Sequence, residues 1–241
     1  MNKQIIALAI LAATTSLAFA QANDTIAKVK ASGEVTMGVR DSSGALSYTL
    51  GDGKYTGYHV ELCQRIIANL EKSVGKKITT KYQSVTAQNR MPLVQNGTVD
   101  IECGSTTNSA TRQKDVAFAV TTFVEEVRVA VKANSGINSI AQLNGKNIAT
   151  TTGTTSVQTL RKHKRADGID IKEVYGKDHA ESFLLLESGR ADAFVMDGSI
   201  LSGSLAIPGS LKRPAPRGLI NTALGAQGPF KRAVEDASNI A

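Results

Sequence analysis

Tryptophan is absent from the 241 residues, aromatic residues make up only 5%, and there are two cysteines and three histidines. Each shortage closes off a class of chemistry. The lysines and arginines are scattered and not interleaved with aromatic rings, so the chain lacks the basic, stacking surface on which single-stranded nucleic acid rests. With no C-x-x-C and so few histidines, the spacing of a tetrahedral zinc site is missing. No G-x-S-x-G, P-loop or H-E-x-x-H occurs, and the hydroxyl-rich stretch Ser199 to Ser204 lacks the glycines of a nucleophile elbow. Catalysis therefore has no sequence signature, and neither a metal nor an organic cofactor is implied. Beyond residue 20 no apolar run approaches the ~20 residues that a membrane helix needs. Internal repeats and low-complexity blocks are missing too.

What is present begins with Met-Asn-Lys and an apolar run, Ile5 to Ala20, closed by Ala18-Phe19-Ala20. That is the layout of a secretory signal peptide over residues 1–22, cut after Ala20 or just after Ala22. About 220 residues would remain, enough for one large domain or two lobes. The composition, 41% hydrophobic and 20% charged, is that of a globular protein. A net charge of +7 suits a small anionic ligand, because a positive field raises the encounter rate with anions. In an exported chain the even pair Cys63 and Cys103 reads either as a disulfide or as two buried thiols.

Periodicity organises the rest. A β-prone run from Val35 to Arg40 leads into a loop of Ser, Gly and Asp. After Gly57, Leu62, Ile66, Ile67 and Leu70 recur at helical spacing. A strand at Ile78 to Tyr82, a short helix at Arg90 to Gln95 stopped by Asn96-Gly97, and a strand at Val99 to Cys103 follow. The pattern then restarts. Strands are expected at 127–131, 147–150, 171–174 and 193–196, with helices at 140–143, after Ser156 to about 163, and at 179–187. This alternation is that of an α/β fold on mostly parallel sheets, in two lobes, 23–120 and 121–205, joined near Ala117 to Phe123.

Ligands in such folds bind outside the carboxyl ends of the strands. There the sequence places Arg40 after the first strand, Arg90 at a helix start, and Ser105-Thr106-Thr107-Asn108 leading to Arg112. Thr152-Gly153-Thr154-Thr155-Ser156 lies before a helix, and Asp197 at the end of the last clear strand. Hydroxyl-rich strand-to-helix turns offer free N–H groups to carboxylates, although each alone reads equally as an N-cap. His179 opens a helix and reads as a carboxylate donor or as an ordinary helix-start residue. His59 and His163 read as surface residues.

Three runs are recognisable: S-V-T-A-Q-N-R-M-P-L-V-Q-N-G-T-V-D-I-E-C-G-S-T-T-N at 84–108, T-T-G-T-T-S at 151–156, and K-D-H-A-E-S-F-L-L-L-E-S-G-R-A-D-A-F-V-M-D at 177–197. Over about residues 24–204 the chain resembles periplasmic glutamate/aspartate-binding proteins of the family 3 solute-binding group. The resemblance implies a type II periplasmic-binding-protein fold that closes around L-glutamate or L-aspartate and delivers it to the permease and ATPase of an ABC importer. It further implies a monomer in the periplasm.

Carried over residue by residue, the resemblance gives Arg112 and Thr155 to the α-carboxylate, and Asp197 with Ser105 and Thr107 to the α-ammonium. Arg40, Arg90 and His179 surround the side-chain carboxylate. A buried zwitterionic di-acid needs such charge-assisted bonds to offset its desolvation.

The chain departs from the family at Ala87, where relatives carry Ser, and more widely after Leu205. There the run I-P-G-S-L-K-R-P-A-P-R-G-L-I-N-T stops resembling it. Residues 206–241 are therefore expected to be an atypical C-terminal segment, at most a partial return to the first lobe. Two rivals to the binding reading stand: a dehydratase-like exported enzyme on the same scaffold, and a non-functional truncated copy.

Overall fold

The computed structural model describes residues 24–206 and 217–220. The expected signal peptide, 1–22, and most of the atypical segment after 206 lie outside the described residues. Helix α1 (Thr25–Ser32) is capped by Asp24, whose side chain accepts from the Ala27 N–H at 3.0 Å. Strand β1 (Glu34–Val39) follows, then a small antiparallel ribbon of β2 (Ser42–Ser43), β3 (Ser47–Gly51) and β4 (Lys54–Thr56). Helix α2 (Tyr58–Val74), β5 (Thr79–Ser84), α3 (Arg90–Gln95) and β6 (Ile101–Glu102) complete the first lobe. Its sheet has the order β5-β1-β6, all parallel.

In β1 the alternation of a strand selects one face. Val35, Met37 and Val39 point to one side and pack with Val60, Cys63 and Ile67 of α2 and Val29 of α1. The α2 stripe is amphipathic as the spacing indicated, and Gly75, at φ +66°, ends the helix in the left-handed conformation that glycine adopts at little cost. Cys63 and Cys103 are joined by a disulfide with Cα atoms 6.3 Å apart, which ties α2 to the residue following β6.

The second sheet contains β7 (Val127–Lys132), β8 (Lys146–Thr151), β9 (Ile171–Gly176), β10 (Ala193–Asp197) and β11 (Arg217–Ile220), in the order β11-β7-β10-β8-β9. Strands β8, β9 and β10 are parallel; β7 runs antiparallel to both β10 and β11. Three helices connect or follow them: α4 (Thr155–Ala166), α5 (His179–Glu187) and α6 (Gly198–Ala206).

Because helices cover both faces, β10 is a continuous apolar run rather than an alternating one. Ala193 and Val195 enter a layer with Leu160 of α4. Phe194 and Met196 enter the opposite layer with Phe183, Ile200 and Leu201. Of residues 206–241, the described strand β11 pairs with β7 in this second sheet.

Two expectations need correction. The stretch after Arg40, read as a loop, contains the β2-β3-β4 ribbon and a 3-10 turn at Gly44–Leu46. The strand expected over 99–103 is only two residues long, and β6 pairs with β1 alone among the described residues.

The two lobes touch closely beside the ribbon. A Cβ on Gly44, at φ +57°, would stand 2.6 Å from the Ser199 carbonyl, and one on Gly203 would stand 2.4 Å from the Gly44 Cα. The glycines are what let α6 lie against the turn.

Candidate functional site

The cleft between the lobes is built where the parallel strands end. Arg40 follows β1 and is wholly buried, with its backbone N–H held by Ser47 Oγ at 2.9 Å. Its Nη1 donates to Ser105 Oγ at 3.3 Å. Its Nη2 donates to Asp178 Oδ1, across the cleft on the second lobe. Arg40 lies tightly over Gly104, where a Cβ would come within 2.6 Å of the Arg40 Cγ. The site thus needs glycine at that position.

Arg90 is the first residue of α3 and is 3% exposed. Its Nε and Nη1 have no hydrogen-bond partner among the described residues, and neither does Glu102 Oε1. Burial pushes the Arg90 guanidinium down to about 10, against the opposing pull of Glu102; Arg40 and Arg112 lower it further. It remains charged at neutral pH. Arg112 reaches across the lobes, donating through Nη1 to the Thr107 carbonyl at 3.0 Å and through Nη2 to the Gly153 carbonyl at 2.9 Å. Burial lowers its pKa as well.

On the second lobe, Thr155 is the first residue of α4, and its Oγ1 lies 3.3 Å from Thr107 Oγ1. Gly153, at φ +81°, abuts the first lobe: a Cβ there would stand 2.6 Å from the carbonyl oxygen of buried Ala87. Asp197 ends β10 and accepts from Ser156 Oγ at 3.2 Å. Burial raises its carboxyl to about 6, with Glu125 adding to the rise and Ser156, Arg90 and Arg112 opposing it.

His179, the first residue of α5, is 1% exposed; its Nδ1 lies 3.2 Å from Thr151 Oγ1 and its Nε2 is buried without a partner among the described residues. Burial first, then Arg40 and Arg90, hold its pKa well below the usual histidine value. The ring is neutral at pH 7, so it can donate through one nitrogen without carrying charge.

All eight residues singled out from the sequence, Arg40, Arg90, Ser105, Thr107, Arg112, Thr155, His179 and Asp197, therefore line this one region or act electrostatically upon it. Sequence reasoning missed Asp178 and Glu102. Asp178 precedes a helix and carries the signal of an N-cap, which concealed its pairing with Arg40. Glu102 sits in a strand, where an acidic residue suggests only a solvated face.

His59 is a further correction. Its Nδ1 lies 2.6 Å from the Gly104 carbonyl and its Nε2 2.9 Å from Thr122 Oγ1, so it braces the segment between the lobes. A cavity of about 460 Å³ beside β6 shares Arg90 and Glu102 with this region and is otherwise lined by α2 residues such as Leu62 and Ile66 and by residues 116–122. Among the described residues no histidine, cysteine, aspartate and glutamate cluster could hold a metal ion.

A sequence profile of the bacterial extracellular solute-binding proteins, family 3, matches residues 35–183. The chain belongs to that family. This family 3 protein is 44% identical over 185 residues to the L-glutamate/L-aspartate-binding protein of Pseudomonas aeruginosa, an alignment that covers 76% of the chain and 61% of the relative. It is 40% identical over 208 residues to the glutamate/aspartate import solute-binding protein of Escherichia coli K12, covering 83% of the chain and 69% of that protein. The chain thus spans about three fifths of the Pseudomonas relative and somewhat more of the Escherichia one.

In three dimensions it is similar to the solute receptors for L-cysteine of Neisseria gonorrhoeae, with a TM-score of 0.65, 26% identity, and coverage of 73% of this chain and 69% of that one. The fold is the two-lobed type II architecture of family 3 binding proteins. These three relatives are binding proteins and receptors by name.

Proposed function

We propose that the cleft binds an acidic amino acid, L-glutamate or L-aspartate, in the periplasm, and that the closed protein delivers it to the permease and ATPase of an ABC importer. The observation that carries this reading is the convergence of three guanidinium groups and a neutral imidazole on one cleft, with Asp197 as a deep carboxylate of the second lobe. Arg90 Nε and Nη1, Arg40 Nε and His179 Nε2 are buried donors or potential donors without partners among the described residues. An orphaned buried donor costs about 1–3 kcal/mol, so such a set is stable only if something accepts from it. A ligand with two carboxylates supplies those acceptors.

In this reading Arg112 and Thr155 hold the α-carboxylate, aided by the free N–H groups at the start of α4. Asp197, Ser105 and Thr107 take the α-ammonium, and Arg40, Arg90 and His179 take the side-chain carboxylate. The protein works as a monomer, exported by the signal peptide at 1–22, and performs no reaction on its ligand. The likeness of the chain to glutamate/aspartate-binding relatives supports the choice of ligand.

Calorimetric titration of the purified chain with L-glutamate, L-aspartate, L-lysine and L-leucine tests the reading. Heat with the acidic pair alone is expected. Binding of L-lysine or L-leucine in preference, or turnover of arogenate or prephenate, overturns it. Arg112→Ala should abolish binding by leaving the α-carboxylate without its guanidinium.

A further inference from the structure

The cleft already contains a carboxylate where the proposed ligand would place one. Asp178 Oδ1 accepts from Arg40 Nη2, and Asp178 Oδ2 accepts from Ser42 Oγ at 3.1 Å. Ser42 Oγ in turn accepts from the Ala180 N–H at 3.3 Å. These bonds cross from the first lobe to the second, linking positions 138 and 136 residues apart.

Charge balance gives this pair a meaning. Three guanidinium groups, Arg40, Arg90 and Arg112, are matched by the carboxylates of Glu102, Asp178 and Asp197, with Glu125 beyond Asp197. A neutral amino acid would leave that balance unchanged. A di-acid adds one net negative charge, and a buried excess charge is costly. One resident carboxylate has to yield.

Asp178 is the one placed to do so. Its side chain lies at the rim, 20% exposed, and it is the N-cap residue of α5. In extended backbone conformation at φ −142°, ψ 174°, its carboxylate makes no capping bond. The N–H it would cap, that of Ala180, is instead satisfied by Ser42. Aspartate is among the preferred capping residues, so the start of α5 offers this side chain a second partner. Glu102, held in β6, has no such alternative.

We propose that Asp178 is a place-holder: it occupies Arg40 while the cleft is empty, and gives way to the ligand's second carboxylate by turning to cap α5. The inference rests on the acidic-ligand reading above. It makes Asp178 a determinant of affinity and specificity, since only a ligand carrying a second carboxylate compensates Arg40 for the loss. A neutral side chain brings no anion to displace Asp178 from Arg40 Nη2.

The test is Asp178→Asn, which keeps a capping side chain and size but cannot compete as an anion. Calorimetric titration with L-glutamate and L-aspartate should show binding tighter by about ten-fold or more, the scale of one charge-assisted bond no longer broken. Unchanged or weaker binding overturns the proposal. Asp178→Ser, which also caps, should move affinity in the same direction if the asparagine variant folds poorly.

The ligand-free state gives a reading independent of ligand identity. Loss of the inter-lobe pair should increase the radius of gyration of Asp178→Asn in solution scattering relative to the parent chain. If the parent binds neither acidic amino acid, the proposed function fails and the place-holder falls with it. If the parent binds them, identical dimensions of parent and variant overturn the place-holder alone.

Discussion

The second sheet is covered on both faces by apolar side chains, whereas the first has an apolar layer on one face and carries a buried Arg40 after β1 and a buried Arg90 at the start of α3. The lobe with two apolar layers contributes hydroxyls, a neutral imidazole and Asp197 to the cleft. The lobe with one layer contributes the cations and is cross-linked by Cys63–Cys103. The difference shows where stability comes from in each. Burying a guanidinium is expensive, and a three-stranded sheet has little apolar area with which to offset it. A covalent tie that restricts the unfolded chain supplies the remainder.

Four experiments put this contrast between the lobes at risk. The largest effect is expected from Phe194→Ala in the second lobe, which removes a wholly buried ring packed against Phe183 at 6.5 Å. A loss of about 3–5 kcal/mol in urea unfolding is expected from the cavity and the lost transfer energy together. A loss below about 1 kcal/mol would mean that this lobe does not depend on its apolar layers.

Replacing both Cys63 and Cys103 by Ala should cost about 3–4 kcal/mol, as expected for reopening a loop with a sequence separation of 40. If the lobes differ as described, the damage is local. Amide exchange should quicken in β1, β5 and β6 and stay slow in β8 and β10. Equal loss of protection in both sheets would erase the distinction drawn between them.

Asp197 gives the next effect, through pH. Its carboxyl titrates at about 6 in the folded cleft, raised from an ordinary value of 3.8. Between those values the folded state binds more protons at this group than the unfolded one, so its contribution to stability is fully present below about pH 4 and is lost as pH rises to about 6. The fall is about 3 kcal/mol at most, since one unit corresponds to about 1.4 kcal/mol. Asp197→Asn should flatten this part of the stability profile, and a profile identical to that of the parent would refute the assignment. Ligand binding runs the other way: an ammonium group favours the ionised carboxylate, so affinity should rise as pH increases from about 5 to about 7.

The smallest effect belongs to the exposed pair Lys81–Glu34, 2.7 Å apart on β5 and β1. Lys81→Ala should change stability by less than about 1 kcal/mol, because solvent screens the pair. A larger loss would show that surface charge holds the first sheet and would reduce the role given to the disulfide.

Much of this fold could be read from periodicity, and the exceptions have physical causes. Helix α2 and strand β1 carry their apolar residues at spacings of about 3.6 and about 2, which tertiary packing then uses directly. The ribbon at β2, β3 and β4 has strands of two to five residues rich in Ser, Thr and Tyr, too short for an alternation to register. Helix α6 is built from Gly and Ser as much as from Leu and Ile. Its form depends on the close approach of Gly203 to Gly44, a contact between distant parts of the chain that no local pattern encodes.

The site was legible for a similar reason. Arg40, Thr155, His179 and Asp197 all stand at strand ends or helix starts, which topology alone marks out. Asp178 and Glu102 were not, because their significance lies in which cation each meets, and that is settled only when the lobes come together.

The Cys63–Cys103 bond also imposes an order in time. Every described strand of the first sheet lies between residues 34 and 102, and the bond closes immediately afterwards, at residue 103. Among the described residues, none of the second sheet pairs with the first, so the described strands of the first sheet can be assembled and sealed without it. A chain emerging N-terminus first into an oxidising space can therefore lock its cation-bearing half before β7 at 127 has emerged. The second half then folds against a finished template. Refolding from the fully reduced state loses that sequence of events, and should be slower than refolding with the bond intact.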